Sequence, residues 1–123
     1  MLDHVTLPVS DWERSRDFYV AALGPLGYEV LMEFPDMKVV GMSADQKADF
    51  WLNGGGVGKP THVAFAASDE RAIQAFYDAA LAAGGKDNGA PGPRKEYSPG
   101  YYAAFVLDPD GNNIEAVMHT YGV

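Results

Sequence analysis

The chain has 123 residues, of which 47% are hydrophobic and 12% aromatic, with a formal net charge of −8; that is enough for one domain with a proper core. It has no cysteine, which excludes disulfides, thiolate nucleophiles and Cys-ligated zinc, and the acidic balance without a Lys/Arg stripe argues against a nucleic-acid partner. No stretch approaches the ~20 apolar residues that cross a bilayer, and no basic segment followed by an apolar run opens the chain, so no membrane association and a cytoplasmic location are expected.

The first predicted element is a strand in MLDHVTLPVSD. Val5, Leu7 and Val9 alternate with His4, Thr6 and Pro8, the period of a half-buried strand. Ser10-Asp11 then signals a helix start, and Ser10 with Glu13 has the spacing of a capping box. Phe18, Tyr19, Ala22 and Leu23 form the apolar stripe of the helix, which Gly24 and Gly27 end. Strand-like runs follow at 28–34, 37–44 and 48–52, and the glycine-rich run 54–60 reads as a linker.

The pattern then repeats. From His62 the chain reads HVAFAASD, and an ungapped alignment of His4–Gly27 with His62–Gly85 gives ten identities in 24 positions. Val63, Phe65 and Ala67 alternate with His62, Ala64 and Ala66, and Ile73, Phe76, Tyr77, Ala80 and Leu81 form a helical stripe. A weak strand near 86–89, a loop over 90–100, a strand over 101–108, a Pro-Asp-Gly turn and a strand over 113–119 complete the second copy. Each copy is therefore βαβββ, module 1 over about 1–53 and module 2 over about 61–120 of a single domain 1–123. The expected fold class is α+β, with the two modules forming an open, cupped, mixed sheet and the helices on its outer face.

Strand alternation assigns the two faces. Val5, Leu7, Val9, Val63, Phe65 and Ala67 go under the helices, which turns His4, Thr6, Pro8, His62, Ala64 and Ala66 to the cup. On the last strand Ile114, Ala116 and Met118 are the apolar set, so Glu115, Val117 and His119 face the cup. A glutamate there is costly to bury unless it is paired or metal-bound. Trp51 occupies in copy one the place of Glu115 in copy two, with Asp49 on the same face.

The duplicated HVxxxxSD starts and the closing DPDGNNIEAV resemble the vicinal oxygen chelate superfamily, which includes glyoxalase I, bleomycin-resistance proteins and extradiol dioxygenases. The resemblance covers nearly the whole chain and is to small, single-domain, glyoxalase-like members. It implies metal-ligand positions at His4, Trp51, His62 and Glu115. Tryptophan cannot coordinate a divalent cation, because its indole N–H only donates, so the implied ligands are His4, His62 and Glu115. Two imidazoles and a carboxylate suit a divalent ion such as Fe, Mn, Zn or Ni. Glu115 and Tyr102 are then the expected catalytic residues. Trp51, Arg94, Tyr97 and Tyr101 are the expected contacts to a small-molecule substrate, Arg94 as a clamp for a carboxylate. Two functions follow from the resemblance. One is a metal-dependent lyase, isomerase or dioxygenase acting on a small molecule chelated through neighbouring oxygens. The other is a metal-free binding protein of the drug-resistance type. Open sheet edges and the habit of small family members imply a homodimer.

Overall fold

The computed structural model describes residues 1–120. Module 1 comprises β1 (Val5–Pro8), α1 (Trp12–Leu23), β2 (Glu29–Phe34), β3 (Val39–Ser43) and β4 (Phe50–Asn53). Module 2 comprises β5 (His62–Ala66), α2 (Glu70–Ala82), β6 (Lys86–Pro93), β7 (Tyr101–Leu107) and β8 (Asn113–His119). The expected βαβββ order is present twice. The main departure is β6, which runs on to Pro93 through two bulges, where proline and glycine had suggested a loop from residue 90. Proline is tolerated there because β6 is an edge strand. Among the described residues no helix is long and apolar enough to cross a membrane.

The strands form two four-stranded mixed sheets, ordered β1-β4-β3-β2 and β5-β8-β7-β6. In each, the first strand pairs parallel with the last, and the duplication is kept in register: Thr6 lies beside Trp51 as Ala64 lies beside Glu115. The cup is therefore split between two sheets. β1 and β5 are outer strands of their own sheets and border a cavity instead of pairing. Pro8 has no N–H to offer along that edge.

Helix starts follow the Asp of each Ser-Asp pair. Asp11 accepts from the Arg14 N–H at 3.2 Å and Asp69 from the Ala72 N–H at 2.8 Å. Ser10 does not form the expected capping box with Glu13. Its N–H (3.1 Å) and Oγ (2.5 Å) both donate to Asp110 of the β7–β8 turn, a charged acceptor that outcompetes a neutral backbone partner. Both apolar stripes enter one core shared by the two modules. A chain of edge-to-face aromatic contacts, Phe18–Tyr19–Phe50–Phe65–Tyr28, with centroids 4.9–5.4 Å apart, crosses from one module to the other.

The modules are also locked by one buried carboxylate. Asp108 ends β7 and is 5% exposed. It accepts from the backbone N–H of Asp110 (2.9 Å) and Asn112 (2.8 Å), from Asn112 Nδ2 (2.9 Å), and from Tyr19 Oη of α1 (2.5 Å). Burial, then the Asp108 charge, pushes the Tyr19 phenol well above its ordinary range, so it stays a donor. Tyr19→Phe should lower unfolding free energy by about 1.5–3 kcal/mol, as for a hydrogen bond to a charged group. Asp108→Ala should lose about 3–5 kcal/mol, because several buried donors lose their acceptor. Urea unfolding measures both; losses under about 0.5 kcal/mol would place these variants with ordinary surface changes.

Candidate functional site

The turn that holds Asp108 also sets the site. Asn112 Oδ1 accepts from the Thr61 N–H at 2.9 Å and fixes the start of β5 against the start of β8. His62 follows and lies opposite Asn113 in the parallel ladder. Its Nδ1 is 2.8 Å from Asn113 Nδ2, and its Nε2 is 2.8 Å from Glu115 Oε1. A carboxylate only accepts, so Nε2 donates to Glu115, while the Asn113 amide lies against Nδ1. Tyr101 Oη donates to the other oxygen of Glu115. Glu115 is 2% exposed, yet each of its oxygens has a donor, the condition under which a carboxylate can be buried. The His62 side chain is 47% exposed, so it is the member of this trio that meets incoming molecules.

A small second apolar cluster is formed by Ala103, Phe105 and Val117 with Tyr101 against it, and Phe105 lies in register with Glu115. Tyr101 is flanked edge-to-face by Tyr97 at 5.1 Å and by His119 at 5.0 Å. The Arg94 guanidinium lies over the Phe105 ring, 5.4 Å from its centroid, and donates to the carbonyls of Ala90 (2.7 Å) and Gly92 (3.0 Å). Its hydrogen bonds thus brace the bulged strand β6 instead of projecting outward as the clamp expected from sequence. Tyr102, expected as a catalytic residue, packs against the helix-side core, paired in register with Met118. One step of alternation separates it from Tyr101, which takes the place next to the carboxylate.

The cup-facing residues Thr6, Pro8, His62 and Ala64 line one cavity of about 440 Å³ between β1 and β5. Val57 and Lys59 of the linker wall it too. His4 is placed elsewhere. It bonds Asp3 Oδ1 at 2.8 Å, and Lys47 also pairs with Asp3, which holds the Asp3 carboxyl below its usual range. His4 shares two cavities with Trp51 in module 1. Asp49 accepts from Tyr28 Oη at 2.9 Å, and burial, then that bond, drives the Tyr28 phenol upward.

The Fe, Mn, Zn or Ni ion expected from the sequence is typically held by three or more side-chain donors around one point. Module 2 brings two of the expected ones together, His62 and Glu115, and both Glu115 oxygens already carry hydrogen bonds. His4 stands with Asp3 on module 1, and among the described residues no three His, Asp or Glu side chains lie close enough to share an ion. The donor set of one chain does not fit the metal that the sequence implied. What one chain does assemble is an imidazole backed by a buried carboxylate, the pairing that orients a general base. Sequence alternation placed His62 and Glu115 on one face; the roles of Asn113 and Tyr101 needed the register.

Comparison with known proteins agrees with this fold. A glyoxalase/bleomycin resistance protein from Albidiferax ferrireducens is 30% identical with a TM-score of 0.79, and the match covers 95% of this chain and 97% of that one. Maize glyoxalase I, as an E144Q mutant, is 28% identical with a TM-score of 0.69 over 93% of this chain but 45% of its own. A lactoylglutathione lyase from Agrobacterium tumefaciens is 16% identical with a TM-score of 0.73, covering 100% of this chain and 97% of that one; it is a likeness of fold alone. No curated protein sequence matches the chain. The model of the Glyoxalase/Bleomycin resistance protein/Dioxygenase superfamily matches residues 1–116, and with its paired βαβββ modules and its two HVxxxxSD starts the chain belongs to that superfamily.

Proposed function

We propose that the chain binds a small molecule in the cavity between β1 and β5 and that His62, backed by Glu115, is its acid–base residue. The supporting observation is the buried Glu115 carboxylate accepting the Nε2 proton of His62. That bond directs Nε2 at the carboxylate and turns Nδ1 toward the Asn113 amide. A polar ligand that displaces the Asn113 amide offers its acidic proton to Nδ1, and the resulting imidazolium is held by Glu115. The displaced Asn113 carries a second polar atom, Oδ1, which is buried without a protein partner and can accept from a ligand donor. Lys59 supplies a cation on the cavity wall for an oxygen that gains charge. Tyr101 fixes the second oxygen of Glu115, so the carboxylate turns neither toward solvent nor away from the ring.

A metal-dependent site shared between two copies of the chain is the second reading. It is favoured by one observation: His4 and Trp51 share a cavity in module 1 as His62 and Glu115 share a face in module 2. Two chains in a homodimer would bring one pair against the other.

Metal content of tag-free protein, with its size in solution, separates the two. Under the proposed reading the protein holds far less than one ion per chain after Mn, Zn, Ni or Fe(II) is offered, and Glu115→Ala changes nothing. Under the second it holds about one ion per chain as a dimer. Each of His4→Ala and Glu115→Ala alone loses it, and a mixture of the two variants regains part of it.

A second outcome concerns Tyr101. Tyr101→Phe removes one donor from a buried carboxylate and should cost about 1.5–3 kcal/mol of stability, read by denaturant unfolding. A cost near zero would mean that Tyr101 does not hold Glu115.

A further inference from the structure

The linker between the two modules forms part of the wall of the cavity between β1 and β5, and it is pinned at both ends. The Gly55 N–H donates to Asn53 Oδ1 at 3.0 Å, and the Thr61 N–H donates to Asn112 Oδ1 at 2.9 Å. Between these anchors, residues 56–60 make no hydrogen bond or ion pair among the described residues. Lys59 sits on this unbonded span, exposed and on the cavity wall. Lys47, Arg16 and Arg94 are engaged by Asp3, Glu33 and backbone carbonyls; Lys59 has no such partner. The chain carries 17 acidic residues against 9 basic ones, yet among the described residues no Asp or Glu lines this cavity. Most of the remaining wall is aliphatic. Leu2, Val5 and Leu7 come from module 1, and Val57 and Val63 from the linker and β5. Leu2 is 86% and Val57 49% exposed, so apolar surface stands open on both flanks. No Phe, Tyr or Trp is among the described residues of the wall.

One unpaired ammonium, no carboxylate beside it, and an aliphatic wall with no ring to stack on match one ligand chemistry. Resting on the reading that this cavity holds the ligand, we propose that the ligand is an aliphatic chain with a single anionic oxygen head, in its simplest form a carboxylate, and that Lys59 reads the head. A lysine ammonium is a point charge that holds an anionic oxygen without demanding one orientation. Lys59 precedes His62 by three residues, and Thr61 between them is fixed by Asn112. The head therefore lies at the β5 side, which carries the acid–base residue, and the tail runs toward Val5 and Leu7 of β1. The tail covers the open apolar groups of Leu2 and Val57, which takes them out of water. A cationic head would meet Lys59 as a like charge, and a dianion would keep one charge without a partner.

The test uses the full chain labelled with nitrogen-15 and follows the backbone amide shifts of Thr6, Lys59, Thr61 and His62 on the cavity wall. The probes are octanoate, octan-1-ol and octylammonium, which share a chain and differ in the head. Octanoate should shift these amides saturably and bind about tenfold tighter than octan-1-ol, the margin of one hydrogen bond to a charged group. Octylammonium should be weaker than either. Lys59→Gln should remove the margin and leave octan-1-ol unchanged. Lys47→Gln makes the same change of net charge at another cavity and should leave octanoate unchanged. Val57→Ser, at an exposed position, should weaken octanoate and octan-1-ol alike. Octylammonium binding as tightly as octanoate, a margin that survives Lys59→Gln, or one lost in Lys47→Gln would each overturn the proposal. If octan-1-ol equals octanoate while the same amides shift, the anionic head is wrong and the cavity reading stands. If no probe shifts them, both are wrong.

Discussion

The hydrogen bonds of the Asp108 carboxylate organise the rest of the molecule. In the sequence Asp108-Pro-Asp-Gly-Asn the aspartate closes the turn through backbone N–H groups, and the same carboxylate reaches across to Tyr19 of the other module. Asp110 adds a second tie, to Ser10 ahead of α1. Asn112 carries the constraint to Thr61, Asn113 to the His62 ring, and Glu115 to its other nitrogen. Five residues of one turn and strand thus set module docking, strand register and the orientation of His62 against a buried carboxylate. A buried charge is costly unless every lone pair is used. That cost explains why the turn is so fully bonded.

The duplication makes the asymmetry of the chain informative. Residues of β4 correspond to those of β8 at a constant offset, so Trp51 answers to Glu115 and Asp49 to Asn113. Ala44 and Ala48 answer to Asp108 and Asn112. Module 1 therefore has neither the turn carboxylate nor the amide that fixes a histidine, and His4 turns to its neighbour Asp3. Where module 2 offers a donor–acceptor pair, module 1 offers an aromatic surface resting on Gly41. The two modules thus carry different side chains at equivalent positions, with the parallel register of both preserved.

Much of this is legible in the sequence alone. Period-two alternation put Leu7, Val9 and Phe65 in the core and Thr6, His62 and Ala64 outside it, and the burial agrees. The stripe Phe18, Tyr19, Ala22 and Leu23 is buried as the helical spacing required. Other features were hidden because they depend on residues far apart in the chain. Ser10 looked like a capping serine because its true partner is 100 residues away. Tyr102 and Tyr101 could not be told apart without the register of β7 against β8. Arg94 looked like a ligand clamp because nothing local shows that β6 bulges under it and exposes carbonyls. His4 looked equivalent to His62 because equal positions in a repeat need not have equal neighbours.

We propose, as the central point, that His62 is oriented by the Glu115 carboxylate through Nε2 and is not a metal ligand. Long-range nitrogen–proton NMR of the His62 ring reads it directly, in the protein alone and with one equivalent of Zn(II). The account predicts a proton on Nε2, an unprotonated Nδ1, and no change when zinc is added. Loss of the Nε2 proton with a zinc-induced shift of that nitrogen would contradict it.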